Sequence, residues 1–243
     1  MGGFIFYRGA SRIDGAPIVG IATTDSGNRK TGSMIQTWII RDDVHPVVAS
    51  RTGADSAICG DCPHRGQYDA SGNRVAGTRT CYVMLTPVAS VYRTLLAGRY
   101  DDLSASLDVA ADRIAGSMLR LGSYGDPAAI PHNVWTALLS RVAGHTGYTH
   151  QWRAFPEYAD ILMASCDSLA ERVQANMLGF RTFRVAPSVG WTKKLNEALC
   201  PASEQAGKKT TCAKCQACGG TSSRARCDIV IPAHGSGANS VRG

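Results

Sequence analysis

The sequence contains no run approaching the roughly 18 uncharged apolar residues that a membrane span requires, which excludes a helical anchor and any membrane partner. Met1 to Arg8 lacks the charged-then-apolar layout of a secretory leader, so the chain is expected in the cytoplasm. No internal repeat is present, which excludes a repeat array. Acidic residues are the scarcer charge: 19 Asp and Glu stand against 26 Lys and Arg, and the net charge of +7 suits a polyanionic partner, with a merely basic soluble protein as the plain alternative. The nine cysteines are odd in number, so they cannot all pair as disulfides. Several fall in C-x2-C pairs, which metal ligation in a reducing compartment explains better than a disulfide scaffold.

What is present is one sizeable core's worth of apolar residues, 44% of a 243-residue chain. Strand signals lie at Phe4–Tyr7, Pro17–Thr23 and Met34–Ile40, separated by turn residues at Asp14-Gly15 and Ser26-Gly27-Asn28. From Leu85 to Ala186 helix and strand signals alternate. Val88, Val91, Tyr92, Leu95 and Leu96 share one helical face, as do Leu103, Leu107, Ala111 and Ile114, and then Val134, Trp135, Leu138, Leu139 and Val142. Buried strands are expected at Met118–Tyr124, Gly147–Trp152, Ile161–Cys166 and Phe180–Ala186, with a helix over Leu169–Leu178 closed by Gly179. Alternation at this pitch predicts βα units with parallel strands, and so an α/β fold in the form of a small or incomplete β/α barrel. The expected division is a catalytic domain over 1–186, a Cys-rich zinc module with the last strand over 187–234, and a flexible tail over 235–243.

Cys212, Cys215 and Cys218 form C-x2-C-x2-C, with Cys200 upstream and Cys227 downstream. Four thiolates satisfy the tetrahedral preference of structural zinc, so Cys200, Cys212, Cys215 and Cys218 are the expected set, with Cys227 or His234 as substitute fourth ligand. Cys59, Cys62 and Cys81, with His64 nearby, make a second group that suits either zinc or, with an open position, an iron–sulfur cluster; buried free thiols are the plain alternative. Parallel α/β folds place their sites at the C-terminal edge of the sheet, where Asp126 and Asp167 fall. Asp126 precedes Pro127 and is equally suited to capping a helix. At the next helix Ser168 and Glu171 read as a capping box, leaving the Asp167 carboxylate free as acid or nucleophile. In the strand between them Tyr148, His150 and Trp152 share one face and Thr149 with Gln151 the other, offering stacking and hydrogen-bonding groups for a flipped base unless they are core. Lys30 and Thr31 sit in a turn with no P-loop pattern around them, where a phosphate contact competes with simple solvation.

Lys30-Thr-Gly, Cys59-x2-Cys62-Pro, Cys81-Tyr82, Gly125-Asp126-Pro127, Tyr148-Thr-His150, Ser165-Cys-Asp167-Ser, the Cys200 to Cys218 cluster and Ile231-Pro-Ala-His234-Gly together resemble a family of small bacteriophage proteins related to phage 7-deazaguanine DNA transglycosylases, themselves similar to tRNA-guanine transglycosylases. The resemblance implies a TIM-like barrel, a zinc module near the C-terminus and two essential aspartates, in an enzyme that exchanges guanine in phage DNA for a 7-deazaguanine such as 7-cyano-7-deazaguanine in the host cytoplasm. Asp167 is then the nucleophile and Asp126 the acid or base, with Asp14 as understudy; Tyr148, His150, Gln151, Trp152, Ser165 and Lys30 would hold substrate. The chain departs from the tRNA enzymes' C-x-C-x2-C-then-His zinc pattern, and it is short for their barrel. Two other readings compete: an iron–sulfur barrel enzyme of the radical type, although C-x3-C-x2-C is absent, and a non-enzymatic zinc-containing nucleic-acid-binding protein.

Overall fold

A computed structural model describes residues 2–24 and 27–233. The N-terminal strands are antiparallel neighbours: β1 (Gly3–Ala10) pairs with β2 (Pro17–Thr23), and β2 with β3 (Ile35–Arg41). Both faces of β2 are covered, since every residue from Ile18 to Thr23 is buried, and its apolar run is what burial on two sides demands. Two short helices follow, α1 (Pro46–Thr52) and α2 (Ser56–Cys59), then the longer α3 (Leu85–Leu96). Helix α3 buries Val88, Val91, Tyr92 and Leu95 of the face its periodicity predicts, while Leu96, at the helix's last position, is exposed.

The second amphipathic run starts later than its spacing suggests. The carboxylate of Asp102 accepts from the backbone N–H and the hydroxyl of Ser104, and β4 (Asp101–Asp102) pairs parallel to β1, so α4 spans only Leu107–Arg113. Strand β5 (Met118–Tyr124) returns parallel to β3 within the limits the sequence predicts. Helix α5 (His132–Leu139) sets Trp135 into the core, where its ring N–H donates to Pro127 O at 2.8 Å.

Strands β6 (Gly144–Thr146) and β7 (Tyr148–Thr149) are parted only by Gly147. Strand β6 closes a six-stranded sheet in the order β4-β1-β2-β3-β5-β6, while β7 opens a second, so the chain itself joins the two. A Cβ at residue 147 would stand 2.4 Å from Leu162 Cδ2 and 3.0 Å from Leu121 Cβ, so any larger residue would displace the Leu162 side chain at that passage. The second sheet is all-parallel, ordered β10-β11-β9-β8-β7, with β8 at Met163–Cys166, β9 at Thr182–Ala186, β10 at Glu197–Leu199 and β11 at Asp228–Pro232. Helix α6 (Leu169–Met177) connects β8 to β9, and the single turn α7 (Cys212–Cys215) carries two of the cysteines. The architecture is therefore mixed α/β with parallel strands.

The cysteine segment is tied into this sheet. Met163 of β8 packs with Cys200, Cys218, Ile229 and Ile231 in one buried cluster. The buried Arg181 guanidinium donates to the carbonyls of Ala217 (2.8 Å), Gly220 (3.0 Å) and Cys227 (3.1 Å), holding the loop after α7 against β9. Arg184 grips Glu197 through two bonds of 2.7 and 2.8 Å, which fixes β10. The expected tail and His234 lie outside the described residues. No helix among those described is long and apolar enough to cross a membrane.

Candidate functional site

The parallel strands β5, β7 and β8 end at Tyr124, Thr149 and Cys166, and the next residues on each are the polar ones. Gly125 takes φ +80°, where a Cβ would stand 2.6 Å from Ile39 O; this turn delivers Asp126 to the strand end. Asp126 is buried, its Oδ1 accepting from Ala128 N–H (3.0 Å) and its Oδ2 from His150 N–H (2.8 Å). It caps the short 3-10 turn at Pro127–Ala129, as the Asp-Pro pair suggests, and it also faces the cavity. Burial pushes its pKa up, against the pull of those backbone donors.

Asp167 emerges where the capping box holds the start of α6. Ser168 Oγ accepts from Glu171 N–H at 3.1 Å, and Glu171 Oε2 accepts from Asp167 N–H at 2.7 Å. The carboxylate is left to side chains: His64 Nε2 stands 3.0 Å from Oδ1 and His150 Nε2 3.3 Å from Oδ2. Burial favours the neutral acid here too, but the imidazoles of His150 and His64 overrule it and hold the Asp167 pKa well below the ordinary carboxylate range. In turn, burial disfavours a charged His150, yet Cys62 and Asp167 carry its pKa well above 6.5. His64 is oriented from behind by Thr80 Oγ1, 2.7 Å from Nδ1. The two rings meet edge to face at 5.4 Å.

Asp126, His64, Thr80 and His150 border a cavity of about 280 Å³. Of the sequence-predicted residues, Lys30, Asp126, Tyr148, His150 and Ser165 line it, and so do His64, Cys59, Cys62 and Cys81 of one cysteine group and Cys200, Cys212, Cys215 and Cys218 of the other. Asp167, the expected nucleophile, is not on the wall: it stands behind His64 and His150, which separate its carboxylate from the cavity. Asp14 lies elsewhere, in a surface turn that closes on Ala16 N–H and Ser56. Gln151 and Trp152 are also not on the wall, because the expected strand stops at Thr149. Asp126 takes the backbone N–H of His150 and Thr149 Oγ1 takes that of Gln151, bending the chain; Gln151 then donates to Cys59 O and Asp61, while Trp152 enters the core and donates to Ser165 O. The alternation of faces fails at that bend. Only Tyr148 and His150 keep the site, with Tyr148 edge-on to Phe183 and under the Arg120 guanidinium at 5.5 Å.

Arg120, Tyr82 and Tyr124 are wall residues that the sequence reading missed. Arg120 lies inside a strand whose apolar alternation drew the attention, and it donates to Tyr82 Oη at 3.3 Å. Tyr124 Oη is buried without a hydrogen-bond partner among the described residues. The thiols perturb one another within each group. Burial and neighbouring thiols raise Cys59 well above its ordinary pKa, and burial with Cys200, Cys212 and Cys215 pushes Cys218 up to about 12 despite the Tyr148 hydroxyl. Compared with protein-family models, curated proteins and solved structures, the chain matches none.

The His150–Asp167 pair predicts a specific pH dependence of stability. A histidine whose folded pKa exceeds the unfolded value of about 6.5 contributes fully below that pH, and the contribution fades as pH rises through the folded pKa. Asp167→Asn is expected to weaken this alkaline decline in urea unfolding free energy and to lower the His150 pKa seen by NMR, with Cys62 left to sustain the remainder. An unchanged decline in the variant would show that another group governs it.

Proposed function

We propose that this cavity exchanges bases at a nucleic-acid sugar carbon: a DNA-guanine transglycosylase that replaces guanine with a 7-deazaguanine base. The observation that carries the reading is a pair of carboxylates, one after β5 and one after β8, whose environments push their pKa values in opposite directions and which both contact one residue, His150. Such a split separates an acid from an anionic nucleophile. Asp167 attacks C1′ of the flipped nucleotide, the C1′–N9 bond breaks, and the departing electron pair on guanine takes the proton carried by Asp126. In the second displacement the Asp126 carboxylate accepts the N9 proton of the incoming deazaguanine, that nitrogen attacks C1′, and Asp167 leaves as carboxylate; two inversions retain configuration.

Tyr148, Phe183 and Arg120 offer the stacking and donor surface that holds an extruded purine, and Ser165 and Lys30 stand on the same wall. The surface suits DNA. Residues 187–227 carry seven Lys and Arg, all exposed, against Glu197, which is buried in an ion pair, and Glu204. In this reading the two sheets are the wall of an incomplete barrel. Cys200, Cys212, Cys215 and Cys218 line the same cavity and are the donor type a structural zinc takes, but among the described residues no three of their sulfurs lie within 4.8 Å of one another, so a zinc held by all four would require them to draw closer. Zinc there would cross-link the loop around α7 to β10.

The test is incubation of the full chain with duplex DNA, labelled in guanine, and 7-cyano-7-deazaguanine, followed by nucleoside analysis. Guanine release matched by deazaguanine incorporation is expected. Salt-sensitive DNA binding that survives loss of both aspartates, with no exchange, would instead identify a binding protein whose strand-end carboxylates are caps.

A further inference from the structure

We infer that His64, His150 and Asp167 form a binding site for one divalent first-row transition ion, separate from the C-terminal cysteine set. The three donors come from distant places: the turn after Pro63, the residue after β7 and the residue after β8. One donor atom from each lies within 4.8 Å of the other two. Donors about 2.0–2.2 Å from a shared ion at tetrahedral angles stand about 3.3–3.6 Å apart. His64 Nε2 stands 3.0 Å from Asp167 Oδ1 and His150 Nε2 3.3 Å from Oδ2, so each imidazole needs only a small expansion to share an ion with the carboxylate oxygen it faces.

Hydrogen bonding points the same way. His150 Nε2 and Asp167 Oδ2 are both buried, face each other, and have no hydrogen-bond partner among the described residues. Two such atoms side by side are costly unless something satisfies both, and a cation between them does so. The supporting contacts are those a metal ligand needs. Thr80 fixes His64 through Nδ1 and leaves Nε2 to coordinate, while the Asp167 backbone is fastened to Glu171. His64 and His150 line the cavity, so the fourth position opens onto it. Two imidazoles with one carboxylate select zinc, cobalt, nickel or iron over magnesium or calcium.

An ion bound here takes the carboxylate that base exchange would use, so metal and sugar carbon compete for Asp167; that consequence, unlike the site, rests on the transfer reading. The probe is zinc, equilibrated with the full chain by dialysis and counted per chain, with magnesium as control. Wild type is expected to hold one zinc more than His64→Ala/His150→Ala, and zinc is expected to raise the melting temperature of wild type by more than that of the variant, which keeps the cysteine set. Equal zinc content in the two folded proteins would overturn the site. Should the variant fold poorly, cobalt added to wild type decides the matter by NMR: paramagnetic shifts of the His64 and His150 ring signals support the site, and unshifted rings refute it. Zinc binding without base exchange in any condition sinks the transfer reading alone; exchange that proceeds while the histidines bind no metal sinks the site alone.

Discussion

Asp167→Ala is expected to lower the rate of base exchange by about 10⁴-fold or more, the scale on which enzymes lose activity when a covalent nucleophile is removed. The size of the effect follows from where the carboxylate sits. Asp167 is the anionic group of the pair, held ionised by His64 and His150, and the neighbouring Asp126 cannot replace it because both its oxygens are engaged by backbone N–H groups in a buried corner. Asp126→Asn is expected to cost less, about 10²–10⁴-fold, since it removes proton transfer and leaves the attacking group. The pH profiles should differ as well. The transfer needs Asp126 protonated, so the rate falls as pH rises through its elevated pKa, and Asp126→Asn should lose that limb. A measurement of single-turnover guanine release against pH, beside thermal melting of the same proteins, checks this. Full exchange by a folded Asp167→Ala would remove the nucleophile from the mechanism.

The parts of the fold that were legible share one property: their sequence pattern is local and marks a buried face. Strand β2 is an apolar run opened by Pro17, β5 alternates buried apolar residues with half-buried ones, and α3 shows its buried face through a repeat of three and four. Strand ends then locate Asp126 and Asp167, because a parallel sheet puts its polar residues there. What the sequence hides is set by partners far along the chain. His64 and Asp167 are 103 residues apart, and no local spacing announces that they meet. Helix α1 is too short to display a period and owes its start to His45, whose Nδ1 accepts from Val47 N–H ahead of a proline-opened turn. Strand β10 is three residues long, placed by the Arg184–Glu197 pair and its pairing with β11. The alternation rule carried the middle strand on to Trp152 because it cannot see a side chain from another strand; Asp126 captures the His150 N–H and ends the ladder. Binding residues proposed from that alternation therefore divide: Tyr148 and His150 face the cavity, whereas Gln151 and Trp152 serve the turn and the core.

Cys212→Ser/Cys215→Ser is expected to release zinc and to collapse the second buried cluster, lowering stability by several kcal/mol, because the binding energy of a structural zinc, about 10–16 kcal/mol in small domains, appears as folding energy. The effect should not stay local. Cys200 and Cys218 pack against Met163 of β8 and Ile229 and Ile231 of β11, so loosening the thiol set exposes apolar surface in the sheet that carries Asp167. The loop's other fastenings cannot compensate fully. Arg181 holds carbonyls at Ala217, Gly220 and Cys227 but touches nothing at α7, whose backbone is tied instead to the turn at Lys30 and Thr31 through Cys212 N–H and Ala213 N–H, at 3.0 and 3.2 Å. Lys30, on the cavity wall, should therefore shift when α7 does, and weaker DNA binding should accompany the loss of zinc. Zinc content, urea unfolding and DNA affinity measured on wild type and the double variant separate these consequences. Unaltered zinc content would exclude these two thiols as ligands, and zinc loss with unchanged unfolding would mean that the cluster is held by side-chain packing and by Arg181 rather than by a metal.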